Sequence, residues 1–214
     1  MKRLVAALGA LAALTLASCS TGTGDADFTR EGKNPKYAGG KATKILAVAI
    51  TTDPGLRQDL ETDWVIQLTK KRINATASHR LVPNLKDVNR EELEKLVKSE
   101  GFDAVLIARP VTGSGSMGEH SNLADWYSRS EMYYTDLYGY WNEATIGVFT
   151  PTDAPKGTTQ YFQLRFEANL YMPAATPMLV WTSEAKITTS KESGEARKLY
   201  AKRVLDALSK HGLI

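Results

Sequence analysis

Residues 44–72 read KILAVAITTDPGLRQDLETDWVIQLTKKR, and their pattern decides the fold class. Lys44 to Thr51 is a short apolar run, which predicts a buried first strand. Thr52-Asp53-Pro54-Gly55 is a turn signal. Beyond it Leu56, Leu60, Trp64 and Leu68 recur at i, i+4 with Val65 beside them, which predicts a helix to about Arg72. Lys70, Lys71 and Arg72 fall in its last turn, where cations oppose the negative end of the helix dipole. The same three residues also have the composition of an anionic-lipid patch, and the dipole role is the simpler reading. Arg57 and Glu61 stand i, i+4 on this helix and are expected to form a surface ion pair worth a few tenths of a kcal/mol.

The pattern continues downstream. Ala75 to Val82 reads as a second strand closed by Pro83. Asn89-x-x-Glu92 resembles a capping box, Leu93, Leu96 and Val97 form a core stripe, and Gly101 fits the position after the last turn. Ala104 to Val111 is a third apolar strand, with Pro110 near its end. Strand–helix–strand–helix–strand implies parallel pairing through right-handed crossovers. Residues 112–143 break the pattern with a Gly/Ser-rich stretch and then an aromatic one, and Ala144 to Thr150 reads as a short strand. Gln160 to Tyr171 alternates: Phe162, Leu164, Phe166, Ala168 and Leu170 share one face, and Gln163, Arg165, Glu167, Asn169 and Tyr171 the other. Met178 to Thr188 is its hairpin partner, and Gly194 to His211 carries a third amphipathic helix through Leu199, Tyr200, Val204, Leu205 and Leu208. The expectation is a single α/β domain over 44–214: a mixed sheet, helices mainly on one face, in the order βαβαβ, insertion, ββα. A six-residue hairpin loop, Met172 to Pro177, pairs Tyr171 with Met178, Ala168 with Trp181 and Arg165 with Glu184. The polar face holding Gln163, Arg165, Glu167, Thr182, Glu184 and Lys186 is expected toward solvent, or covered only by polar contacts, with all three helices opposite.

The amino terminus carries a different signal. Lys2 and Arg3 precede a run from Leu4 to Leu16 that is almost entirely Leu, Ala and Val, and Leu16-Ala17-Ser18-Cys19 follows. Residues 1–18 read as a signal peptide, its apolar core too short to span a membrane. Residues 19–43 are rich in Gly, Ser, Thr, Asp and Lys and read as a tether, with Phe28 and Tyr37 able to dock on the domain. The 24 residues from Ser20 to Thr43 would have a root-mean-square span of roughly 25–30 Å. Cys19 is the sole cysteine, which excludes an intramolecular disulfide.

The chain has 27 Lys and Arg against 24 Asp and Glu, and the signal peptide takes two of the cations. The rest is close to neutral, and no basic stripe points to nucleic acid. Gly113-Ser114-Gly115-Ser116-Met117-Gly118 matches the glycine spacing of a dinucleotide loop. It follows the third strand rather than the first, and Glu119 lies at the phosphate end, so a loop is the better reading and no cofactor is assigned. His79, His120 and His211 share no metal-ligand spacing, so no metal is assigned. H-E-x-x-H, G-x-S-x-G and a nucleophilic cysteine are missing, and no catalytic residue is assigned. The concentrated chemistry is aromatic: Trp126, Tyr127, Tyr133, Tyr134, Tyr138, Tyr140 and Trp141. Such side chains combine stiff contact area with a polar tip, suited to a partner protein, a sugar ring or a lipid interface. They suit equally a mini-core that pins the insertion to the domain.

Two resemblances add to this reading. Leu16-Ala17-Ser18-Cys19 resembles the lipobox of bacterial lipoproteins. That implies cleavage before Cys19, diacylglycerol on its sulfur and membrane lipid as a partner. Ser20 rather than Asp after the cysteine implies the outer membrane, facing the periplasm. KILAVAITTDPGLRQDLE, FDAVLIARP, RFEANLY and LVWTSEAKI are similar to stretches of a group of bacterial lipoproteins. Their fold resembles the α/β domains of the curli-secretion lipoprotein, the lipoprotein activator of penicillin-binding proteins and the amino-terminal domain of the Tol-system protein B. Functions differ within that fold. The role therefore rests on the aromatic insertion and its neighbouring loops, which point to a binding or assembly module for an envelope protein or glycan rather than an enzyme. The alternatives are a subunit of an envelope assembly or secretion complex and, less favoured, an envelope-polymer hydrolase. Replacing Cys19 with Ala removes the sulfur that would carry the lipid. Processing at this site is therefore expected to stop, and a mature unlipidated form beginning at residue 19 in the C19A variant would refute the lipobox.

Overall fold

The structure is a computed structural model that describes residues 25–51, 53–84, 90–110, 162–173, 178–189 and 194–214. Six strands form one sheet: β1 (Asp25–Lys33), β2 (Lys44–Ala49), β3 (Asn74–Ala77), β4 (Ala104–Pro110), β5 (Phe162–Met172) and β6 (Met178–Thr189). Three helices accompany them: α1 (Pro54–Lys70), α2 (Arg90–Ser99) and α3 (Glu195–Lys210). The sheet order is β1-β6-β5-β4-β2-β3. β2 pairs in parallel with β3 and β4, while β4–β5, β5–β6 and β6–β1 are antiparallel. The class is the expected α/β domain with a mixed sheet.

The central strands explain the layering. On β2, Ile45, Ala47 and Ala49 belong to one buried cluster, and Leu46 and Val48 to a second cluster on the opposite face. Such a strand has to be covered twice. α1 and α3 cover the first face with Leu60, Trp64, Leu68, Tyr200, Val204 and Leu208. α2 covers the second with Leu93 and Val97. The expectation that all three helices share one face is corrected: two do, and α2 crosses to the other because Leu46, Val48, Val105 and Ile107 need apolar cover there. At the centre of the larger core the Tyr200 ring lies 5.4 Å from Phe166 and 6.3 Å from Trp64, centroid to centroid.

Local signals match the ends of the elements. The Asp53 side chain caps α1 by accepting from the Gly55 and Leu56 amides, with Pro54 at the first helical position. Gly101 takes the left-handed φ of +67° that follows a helix end. Arg72 takes a similar φ of +63° after α1, where an L side chain is disfavoured. The expected second strand is shorter than 75–82: β3 stops at Ala77, and Ser78–Arg80 form a 3-10 turn.

The tether expectation is corrected over much of its length. Asp25–Lys33 is an edge strand, with Asp25 opposite Thr188 and Lys33 opposite Trp181. Phe28 docks as expected, its ring edge-on to Trp181 at 6.2 Å. Asn34 is buried and fills a specific need. The β5–β6 ladder shifts register between Leu170 and Tyr171, so Leu170 faces Trp181 while Tyr171 faces Leu179. The extra residue, Val180, joins Trp181 in the larger core, and Leu179 turns to the other face. Asn34 satisfies the irregularity: its side chain donates to the Leu179 carbonyl at 2.9 Å and its backbone amide to the Val180 carbonyl at 2.8 Å. Further along, the Ala42 amide donates to the Leu213 carbonyl at 2.8 Å, closing the stretch against the end of the chain.

The hairpin register differs from expectation by two residues up to the bulge and by one beyond it, where Tyr171 lies opposite Leu179 rather than Met178. Ala168 lies opposite Ser183, and Arg165 opposite Lys186. A shift of two preserves the faces, so Phe166 is buried and Arg165 exposed as expected. Arg165 reaches Glu184 diagonally at 3.7 Å. Replacing Trp181 with Ala is expected to cost about 3–5 kcal/mol, while Ile66→Ala, on the exposed side of α1, should change stability by less than about 0.5 kcal/mol. Urea denaturation of the two variants checks the contrast.

Candidate functional site

Strand directions gather the ends of the elements. The carboxyl ends of β2, β3, β4 and β6 lie at one end of the sheet, with the amino ends of β1 and β5. In open α/β sheets the carboxyl ends of parallel strands are where ligands commonly bind. Here this end holds a buried polar network. Arg57 and Glu61, expected as a surface pair, are 5% and 0% exposed. The correction has a signal in the sequence: Arg57, Glu61, Trp64 and Leu68 are spaced as one helical stripe, so the pair faces the same way as the core residues.

Glu61 accepts five hydrogen bonds. One oxygen takes the Ala49 amide (2.9 Å), Arg57 Nε (3.1 Å) and the Ser78 hydroxyl (2.7 Å). The other takes the His79 amide (2.7 Å) and His79 Nδ1 (2.8 Å). Arg57 spends its remaining donors on Ser78 Oγ (2.9 Å) and on the carbonyls of Val82 (2.6 Å) and Pro83 (2.8 Å). The network ties α1 to the end of β2 and to the 78–83 turn.

Serine, histidine and a carboxylate meet here, but not as a nucleophilic triad. A triad base has to take the serine proton. Here Glu61 accepts from both Ser78 and His79, so the hydroxyl is not aimed at the imidazole. With Glu61 as acceptor, Nδ1 of His79 carries its proton and Nε2 is left as the other ring position. Among the described residues no group of three or more His, Cys, Asp or Glu is placed to hold a metal ion.

A second polar cluster lies on the α2 side of the sheet. Arg109 faces Glu167 across β4–β5 and contacts it at 2.9–3.0 Å, and Asn169 donates to the same carboxylate at 2.7 Å. Glu167 sits directly opposite Glu184, a repulsive pairing, with Arg109 on the first carboxylate and Arg165 on the second. Glu167, Asn169 and Thr182 are buried. Of the face expected toward solvent or under polar contacts only, Arg165 is exposed, while Glu167 is buried under the polar contacts of Arg109 and Asn169, and Thr182 is buried. The effect reaches through the sheet: burial raises the Tyr200 phenol far above its ordinary range, and the charge of Glu167 adds to the rise.

Of the other residues singled out in the sequence, Cys19, His120, the 113–118 glycines and the aromatic set Trp126, Tyr127, Tyr133, Tyr134, Tyr138, Tyr140 and Trp141 lie outside the described residues, as does the strand expected at 144–150. His211 sits at the other end of the sheet, 3.5 Å from Glu31, and does not approach His79. Among the described residues no helix is long and apolar enough to cross a membrane. Removing the Glu61 carboxylate strands a buried guanidinium, so Glu61→Ala should cost about 3–5 kcal/mol, and a double variant with Arg57→Met should recover part of that loss. Equilibrium unfolding of the single and double variants reads the coupling.

No protein-family model matches the chain, and no curated protein matches it. Among solved structures it is similar to PelC of Paraburkholderia phytofirmans, crystallised as a dodecamer. A single-substitution variant is 14% identical with a TM-score of 0.43, over 84% of this chain and 94% of that one. A second crystal form of the dodecamer is 12% identical with a TM-score of 0.43, over 87% and 95%. Likeness at that distance carries no argument about what this chain does.

Proposed function

We propose that this chain is a lipid-anchored module of the outer membrane, facing the periplasm, that binds or assembles with another envelope component, protein or glycan. The observation that carries the reading is the sequence Leu16-Ala17-Ser18-Cys19 a few residues ahead of a folded strand, since Asp25 already pairs with Thr188. A chain acylated at Cys19 would hold a rigid sheet at a membrane surface. Several acyl chains, at about 0.8 kcal/mol per buried methylene, anchor stably where one would not.

The polar networks favour a scaffold over a reaction centre. Glu61 and Arg57 bond inward to the end of β2 and to the 78–83 turn, and those bonds use the groups that chemistry on a substrate would need. The proposed partner surface is the aromatic set between Trp126 and Trp141. The strands flanking that stretch, β4 and β5, open at the same end of the sheet. Crosslinking in intact cells, with identification of the captured component, tests the reading. Tyr134→Ala and Trp141→Ala should abolish capture while leaving the melting temperature nearly unchanged. A stability loss of about 3–5 kcal/mol would instead show that these rings form a mini-core. Stable rings at micromolar concentration would identify an assembly subunit.

A further inference from the structure

Anchoring at Cys19 together with the position of β1 restricts how the domain can stand on the membrane. Only six peptide links separate Cys19 from Asp25. Fully extended they span no more than about 22 Å. β1 then runs from Asp25 to Lys33, about 26 Å further at the rise of a strand. Were the Lys33 end of the sheet turned to the lipid, Asp25 would stand about 26 Å above the surface, and residues 19–25 would have to be drawn out almost completely for the lipid on Cys19 to reach the leaflet.

We propose that the anchored domain stands with the carboxyl ends of β2, β3 and β4 facing the lipid leaflet that holds Cys19. The proposal rests on the lipoprotein reading above. Its contact surface includes the turn after β3, where Arg80 and Leu81 are both exposed. Leu81 is one of two exposed large hydrophobic residues among those described. A cationic side chain beside an apolar one suits the boundary between headgroups and acyl chains. The opposite end carries Lys36, Lys41, Lys70 and Arg72, all exposed. Those cations then point into the periplasm, so Lys70-Lys71-Arg72 acts on its helix end rather than on lipid.

The test uses two positions beside β3 that differ in height. Arg80 follows β3 and Lys70 precedes it, and the helix ending at Lys70 is about 24 Å long. Cys19 is the only native cysteine and would be acylated, so Arg80→Cys and Lys70→Cys each accept one fluorophore on the full-length lipidated chain. Both side chains are exposed, and circular dichroism checks that each variant folds. The chains are reconstituted in vesicles of phosphatidylethanolamine and phosphatidylglycerol that carry a headgroup quencher, and flotation is read on the same samples. The expected result is that the residue-80 probe loses most of its emission while the residue-70 probe keeps its own. Equal quenching on floating vesicles would mean the domain lies on its side, and stronger quenching at residue 70 would mean it is inverted; either overturns the orientation alone. Failure of both chains to float would overturn the lipoprotein reading and the orientation with it.

Discussion

A sheet whose middle strands are apolar on both faces cannot leave either face in water, and this constraint governs the rest of the molecule. β2 and β4 bury every described side chain between Ile45 and Ala49 and between Ala104 and Ala108. One helix pair cannot reach both sides. The chain therefore sends α1 and α3 to one face and α2 to the other. Away from the middle the demand changes. β5 and β6 alternate, and their second face carries carboxylates, an amide and hydroxyls.

The buried charges are organised around that layering. Glu61 projects from a core-facing stripe of α1 toward the end of β2, where the helix, the strand and the 78–83 turn meet. Five donors on one carboxylate compensate for its loss of water. Arg57 brings a flat fork whose donors match two backbone carbonyls and a hydroxyl as well as the carboxylate. The Arg109–Glu167–Asn169 group does similar work between β4 and β5.

The sheet starts earlier in the chain than composition suggests. Residues 25–33 are polar enough to read as a tether, yet they complete the sheet as its edge. Phe28 covers Trp181 beside them, and Asn34 supplies the hydrogen bonds that a bulge in β6 requires. An edge strand needs few apolar residues of its own because its backbone pairs with a neighbour that is already buried. That pairing makes residues 25–33 part of the sheet rather than a linker.

Periodicity along the chain was enough to determine the class, the parallel start, the helix over 54–70, the alternation of β5 and the buried face of Phe166, because each depends on spacing between near neighbours. The lipobox reading also came from sequence alone. Four features were decided only by tertiary structure: the side taken by α2, the register of the hairpin, the strand at 25–33, and the partners that close over Arg57 and Glu61. Each depends on what lies across the sheet. Up to the bulge the shift is two residues and leaves every face unchanged, so alternation cannot detect it. The stripe shared with Trp64 and Leu68 shows which way Arg57 and Glu61 face, but not that the end of β2 and the 78–83 turn supply their partners. A polar edge strand has no apolar pattern to show until its partner strand is in place.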